Sequence, residues 1–244
     1  MVATLEDKKD GFVEELFNAG AHVGYSRSRC HPKMRNFVFG MRNNIEIIDL
    51  EVSQKKIIEA EEFLKKLGKD GNNLLVVGTK PNVKNHVKEM GIVLNMPYVS
   101  ERWLGGTLTN FKVLSGRIAF LRKLEEEEKT EGFEKYTKKE RVLIKMKLEK
   151  LRNMFDGLRN LKSIPDTIII VDPREEKTAL LEANKKNISV IALMNVDSSP
   201  ENIKYPIPIN HNSQKAVSLI LGRLTKAYEE GVKEKPNIQN ESNN

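Results

Sequence analysis

The chain has 244 residues, 39% hydrophobic and 31% charged, with 41 Lys and Arg against 34 Asp and Glu and a formal charge of +7. Its longest apolar runs, such as Leu74–Val77 and Ile168–Val171, fall far short of the roughly 20 residues of a bilayer-spanning helix, which excludes a helical membrane protein. One cysteine, Cys30, excludes an internal disulfide framework, and Met1–Asp10 lacks the apolar core of a secretory leader, so a cytoplasmic setting and an anionic partner are expected.

Residues 12–19 read as a short amphipathic helix. Residues 37–39 and 45–48 are apolar stretches on either side of Gly40 and Asn43-Asn44, a β-hairpin pattern. Residues 53–67 place Ile57, Ile58, Leu64 and Leu67 among Lys and Glu, which predicts a helix ended by Gly68 and Gly71. Leu74–Val77 is a continuous apolar run stopped by Gly78, the pattern of a strand buried on both faces in a parallel sheet. A helix follows Pro81, with Val83, Val87 and Met90 on one face, and residues 97–99 read as a short strand. Residues 167–171, 175–184 and 189–193 form a β-α-β unit, 207–209 an edge strand, and 214–230 a closing helix. The alternation predicts an α/β sandwich around a parallel sheet.

The middle of the chain breaks this rhythm. Phe111, Leu114, Ile118 and Leu121 are spaced three, four, three; Ile144, Leu148, Leu151, Phe155 and Leu158 are spaced four, three, four, three. Both are heptad-like seams. Residues 130–137, with Gly132, can turn between them, so an antiparallel helical hairpin projecting from the α/β domain is expected. The organisation read from sequence is thus a discontinuous α/β domain at 1–108 and 163–231, a hairpin insertion at 109–162, and a polar, disordered tail at 232–244.

Two stretches concentrate the positive charge and contain no acid. Residues 26–42 hold Arg27, Arg29, His31, Lys33, Arg35 and Arg42, beside Tyr25 and Phe37. Residues 102–124 hold Arg102, Lys112, Arg117, Arg122 and Lys123, beside the only Trp, Trp103, and Gly105, Gly106, Thr107, Thr109 and Asn110. Phosphates are gripped by Arg, Lys, Ser, Thr, Asn and backbone N–H groups, and unpaired RNA bases stack on aromatic or guanidinium planes. The candidate RNA-binding set is Arg27, Arg29, His31, Lys33, Arg35, Arg42, Arg102, Trp103, Gly105, Gly106, Thr107, Thr109, Asn110, Lys112 and Arg117. The plainer reading is a clustering of solvated surface charge. Trp103 lies where the α/β domain gives way to the hairpin and also reads as a packed anchor; Thr109 or Asn110 can cap the next helix. The acidic run 125–128 reads as a solvated turn or a protein contact.

Enzymatic motifs are weak. Gly78-Thr79-Lys80 follows a strand but lacks the spacing of a phosphate loop, and no Gly-x-Gly-x-x-Gly is present. His22, His31, His86 and His211 are scattered and Cys30 is alone, so no metal and no cofactor is expected. Asp172, before Pro173, reads as a turn or cap residue. The alternative is an α/β enzyme binding a nucleotide or sugar phosphate through Gly78, Thr79 and Asp172.

Several blocks in order carry a resemblance. They are residues 16–24 (Leu-Phe-Asn-Ala-Gly-Ala-His-Val-Gly), His31-Pro32-Lys33-Met34, Ile47-Ile48-Asp49-Leu50, residues 76–80, Pro97-Tyr98-Val99 and residues 102–111. Residues 165–174, Glu182-Ala183, Ile191-Ala192-Leu193 and Tyr205-Pro206-Ile207-Pro208 continue them. Together the chain resembles the bacterial small-subunit ribosomal protein S-two (universal uS-two) family along almost its whole length. The resemblance implies a flavodoxin-like or Rossmann-like parallel-sheet sandwich with an inserted helical hairpin, and no catalysis. It implies a structural role in the small ribosomal subunit, bound to small-subunit rRNA between head and body, among neighbouring small-subunit proteins. It also implies help in docking the mRNA-binding protein S-one. Where members read Asp-Thr-Asn-x-Asp-Pro this chain has Asn195-Val196-Asp197-Ser198-Ser199-Pro200, and where they read Pro-Gly-Asn-Asp-Asp it has Pro208-Ile209-Asn210-His211-Asn212. Acids are lost at both places, so no metal is carried over.

Overall fold

The computed structural model describes residues 5–129 and 137–235, with side chains from Gly11 onward. A five-stranded parallel sheet carries the fold: β4 (Leu74–Val77), β5 (Tyr98–Val99), β6 (Thr167–Val171), β7 (Ser189–Met194) and β8 (Tyr205–Pro208), in spatial order β5-β4-β6-β7-β8. A second, antiparallel sheet is made by β1 (Val23–Ser26), β2 (Val38–Arg42) and β3 (Ile45–Ile48), in order β1-β3-β2. The helices are α1 (Leu5–Asn18), α2 (Leu50–Asp70), α3 (Lys84–Val93), α4 (Phe111–Lys129), α5 (Lys138–Phe155), α6 (Lys177–Lys185) and α7 (Gln214–Lys233).

The apolar runs read as two-sided strands face two cores. Leu74, Val76, Ile169, Val171, Ile191 and Leu193 pack with α1, α2, α3 and α7. Their neighbours Leu75, Val77, Ile168, Ile170, Val190 and Ala192 face the other way. The period of two along a strand makes this division automatic. The second core is covered by α6, by the loop around Trp103 and Leu108, by Met34, and by the root of the hairpin: Leu114, Ile118, Leu121, Leu148, Phe155, Leu158 and Leu161. The hairpin read as a projecting arm is therefore rooted in the domain. Its seam residues belong to the same core cluster as the residues on the second face of the sheet.

Local chemistry explains the element boundaries. Asp49 caps α2 by accepting from the N–H groups of Glu51 (2.9 Å) and Val52 (3.2 Å), and Gly71 ends it at φ 72°. Gly68, expected to stop this helix, lies inside it. A Cβ there would sit 2.5 Å from the Tyr228 carbonyl oxygen, so the glycine sets how closely α7 crosses. Asn43 (φ 51°) and Asn44 (φ 62°) supply the left-handed pair that a tight β2–β3 turn requires. Strand β1 has four half-buried residues and no alternation, so the sequence pattern does not reveal it. α7 continues through Val232 to Lys233, past the expected start of the tail. The expected turn around Gly132 and most of the tail, residues 236–244, lie outside the described residues. The acidic run, expected as a solvated turn or contact, instead has Glu125 and Glu128 paired with Arg152 across the hairpin at 2.7 and 3.0 Å.

Candidate nucleic-acid interface

The loop between β5 and α4 does grip an anion, and the anion belongs to the same chain. Glu182, on the buried side of α6 with Ala179 and Ala183, points its carboxylate into the loop. Oε1 accepts from the Trp103 indole N–H (3.1 Å) and the Gly106 N–H (2.7 Å). Oε2 accepts from the N–H groups of Leu108 and Thr109 (both 3.0 Å) and from the Thr109 hydroxyl (3.1 Å). Gly106 sits at φ 91°, a conformation that aims successive N–H groups inward. Burial pushes the Glu182 carboxyl up. The N–H groups of Gly106 and Thr109, then the Trp103 indole and the Leu108 N–H, outweigh burial and hold it below the usual carboxylate range.

This geometry sorts the candidate residues. Trp103 is 8% exposed and Thr107 1%; the Thr107 hydroxyl donates to the Leu104 carbonyl at 2.6 Å. Both are buried in the loop, which for Trp103 is the packed-anchor reading of its place at the junction. The Thr109 hydroxyl serves Glu182 and does not cap α4; Asn110 receives the first turn through its backbone carbonyl, from Val113 and Leu114. Gly105, Asn110, Arg102, Lys112 and Arg117 are exposed.

The first basic stretch is also partly tied down. His31 accepts from the Lys33 N–H through Nδ1 (3.3 Å), heading the short helical turn Pro32–Phe37. Arg29 lies over the Tyr25 ring at 4.0 Å and donates to Asp197 Oδ2 at 3.1 Å. The same oxygen receives Arg174 at 2.7 Å, and the Asp197 side chain is only 3% exposed. Lys33 pairs with Glu201. By contrast Arg27, Arg35 and Arg42 are exposed and make no ion pair among the described residues, and the same holds for Arg102, Lys112 and Arg117. Sequence reasoning missed the acids. Asp197 lies 168 residues from Arg29 and carries no local signal; Glu182 had one, a carboxylate at helical spacing between buried alanines.

The enzyme alternative is tested at the point where strand order reverses, between the C-terminal ends of β4 and β6. There the Thr79 N–H and hydroxyl both donate to Glu176 Oε1, at 2.9 and 2.5 Å. Lys80 pairs with Asp172, whose other oxygen accepts from the Arg174 N–H at 3.1 Å. Burial opposes ionisation of Asp172, but His211 and Lys80 outweigh it and lower the carboxyl. His211 is itself held down by burial, so near neutral pH Lys80 is the cation that Asp172 meets. The phosphate-cradling donors are thus occupied by the chain's own acids, and Asp172 is a turn residue as well as an ion-pair partner.

Such a molecule is an α/β scaffold with a net positive charge and a switch point whose donors are taken up from within. The family described as ribosomal protein S2 matches residues 16–231. The small ribosomal subunit proteins uS2 of Dictyoglomus thermophilum and Dictyoglomus turgidum are each 41% identical over 219 residues, 90% of this chain and 89% of theirs. The chain belongs to the ribosomal protein S2 family, structural constituents of the small ribosomal subunit that serve translation.

Proposed function

We propose that this protein binds small-subunit rRNA through one face assembled from both basic stretches, with Arg27, Arg35, Arg42, Arg102, Lys112 and Arg117 as the phosphate contacts. The observation that carries the reading is a shared core. Met34, Cys30 and Phe37 of the first stretch pack into the same hydrophobic cluster as Trp103, Leu104, Leu108 and Phe111 of the second. Segments about seventy residues apart in sequence are thereby held on one side of the sheet. The six cations named above are exposed and have no ion-pair partner among the described residues, unlike Arg29 and Lys33, and that is the state in which a cation releases condensed counterions on meeting a phosphate.

The finer assignment rests on the family resemblance: a seat between head and body of the cytoplasmic ribosome, next to other small-subunit proteins and the mRNA-binding protein S-one. Exposed Val142, Leu143 and Met146 on the outer side of α5 suit a protein neighbour.

The test is salt-dependent co-sedimentation with small subunits stripped of this protein by high salt. Arg27→Ala combined with Arg35→Ala should make the slope of log affinity against log salt shallower by roughly 1.4–1.8, about 0.7–0.9 per phosphate. An unchanged slope removes both residues from the interface.

A further inference from the structure

The rRNA face leaves one buried charge without a role of its own. Glu182 sits on the inner side of α6, 8% exposed, where the helix's other buried residues are Ala179 and Ala183. A carboxylate in such a place is costly unless hydrogen bonds compensate it. All five of its bonds come from Trp103–Thr109, the segment between Arg102 and Lys112. One oxygen holds the front of that segment and the other its back. Convergent N–H groups around a left-handed glycine make a nest of the kind that ordinarily receives phosphate. Here the nest is already filled.

We propose that Glu182 is a positioning residue for RNA binding. By filling the loop's anion nest it fixes Arg102 and Lys112 on the outer side of the loop and bars rRNA phosphate from the nest itself. The inference rests on the reading above and goes past it, because Glu182 touches no RNA. It also makes recognition at this loop a matter of side chains more than of the Gly106 N–H, which faces inward.

The experiment compares the full chain with Glu182→Gln and Thr109→Val. The first keeps the shape but turns an amide NH2 toward donors that now meet an oxygen; the second removes a single donor. Three readouts are taken: circular dichroism for folding, emission of Trp103 as the only Trp, and salt-dependent co-sedimentation with salt-stripped small subunits. Glu182→Gln should shift the Trp103 emission to the red and weaken binding roughly tenfold, the scale of one charge-assisted hydrogen bond. The salt slope should fall by about 0.7–0.9 for each phosphate that the displaced Arg102 and Lys112 no longer neutralise. Thr109→Val should move both readouts in the same direction by less. A purely structural role lowers the melting temperature and leaves the affinity and slope of the folded protein alone, so a folded Glu182→Gln that binds like wild type overturns the proposal. Unchanged Trp103 emission overturns it as well. If Glu182→Gln does not fold, Thr109→Val decides on the same two readouts. Wild-type protein that shows no salt-dependent binding removes the RNA reading and this inference with it, an outcome distinct from equal binding by wild type and variants.

Discussion

Phe155 offers the sharpest test of how the hairpin is built into the molecule. It closes α5, is 1% exposed, and belongs to the cluster that includes Val77, Ile168, Ile170 and Trp103. Phe155→Ala removes a ring from this core and leaves a cavity in it. Fully buried Phe→Ala changes cost about 3–5 kcal/mol, a large part of the ~5–15 kcal/mol that holds a typical domain together. At this chain length each kcal/mol lowers the midpoint by about 2–4 °C, so a fall of roughly 6–20 °C is expected. The assay is denaturant and thermal unfolding followed by Trp103 emission, which reports the sheet side of the cluster, and by far-UV circular dichroism, dominated by helices. Both probes should move together in one transition. Met146→Ala, on the same helix but 62% exposed, should stay within about 0.5 kcal/mol of wild type. A Phe155→Ala loss below about 1 kcal/mol, or a helical transition separate from the Trp103 transition, refutes the claim that the hairpin root belongs to the core.

Two glycines of α7 should respond in opposite directions. A Cβ on Gly231 would run into the Lys65 backbone carbonyl of α2, which cannot move aside, so Gly231→Ala should cost about 1–3 kcal/mol in denaturant melts; nothing lies within 4 Å of a Cβ on Gly222, and Gly222→Ala should gain about 0.5–1 kcal/mol of helix propensity. Equal effects at the two sites would show that the α2–α7 crossing is not set by the missing side chain. The second prediction concerns acid. Arg159 hydrogen bonds lead the causes that hold Glu125 at about 2; burial works against them and Arg152 adds to them. A carboxylate depressed in the folded state stabilises above its unfolded value of 4.5 and loses that contribution as pH falls toward about 2. The melting-temperature gap between wild type and Glu125→Gln should therefore be full above pH 4.5 and close as pH falls toward about 2; a gap independent of pH would remove the ion pair as its cause.

The sequence carried the strands well because burial on two faces leaves an unmistakable mark: Leu74–Val77 and the Ile168–Val171 run of β6 are apolar throughout. The heptads of α4 and α5 were equally plain, but periodicity says only that an apolar stripe is covered. It does not say by what, and Leu114, Leu148 and Phe155 share one core cluster with the residues on the second face of the sheet. Gly68 shows the same limit. A glycine in a helical stretch reads locally as a stop, and only the approach of Tyr228 and Gly231 gives it another meaning. The interface divides along that line too. Positive residues free of nearby acids were legible as a group, yet which of them remain free depends on partners brought in by the fold: Asp197 takes up Arg29 and Glu201 takes up Lys33, while Arg27 and Arg35 stay open to solvent. Donors clustered in a loop announce that an anion will sit there and leave open whose anion it is. In this chain the deciding residue lies more than seventy positions downstream, a glutamate between Ala179 and Ala183 on the buried side of a helix. A carboxylate in that setting has to meet convergent donors or the helix does not pack, so an acid on an apolar helix face is the signal to pair with a donor-rich loop before that loop is assigned to an external partner.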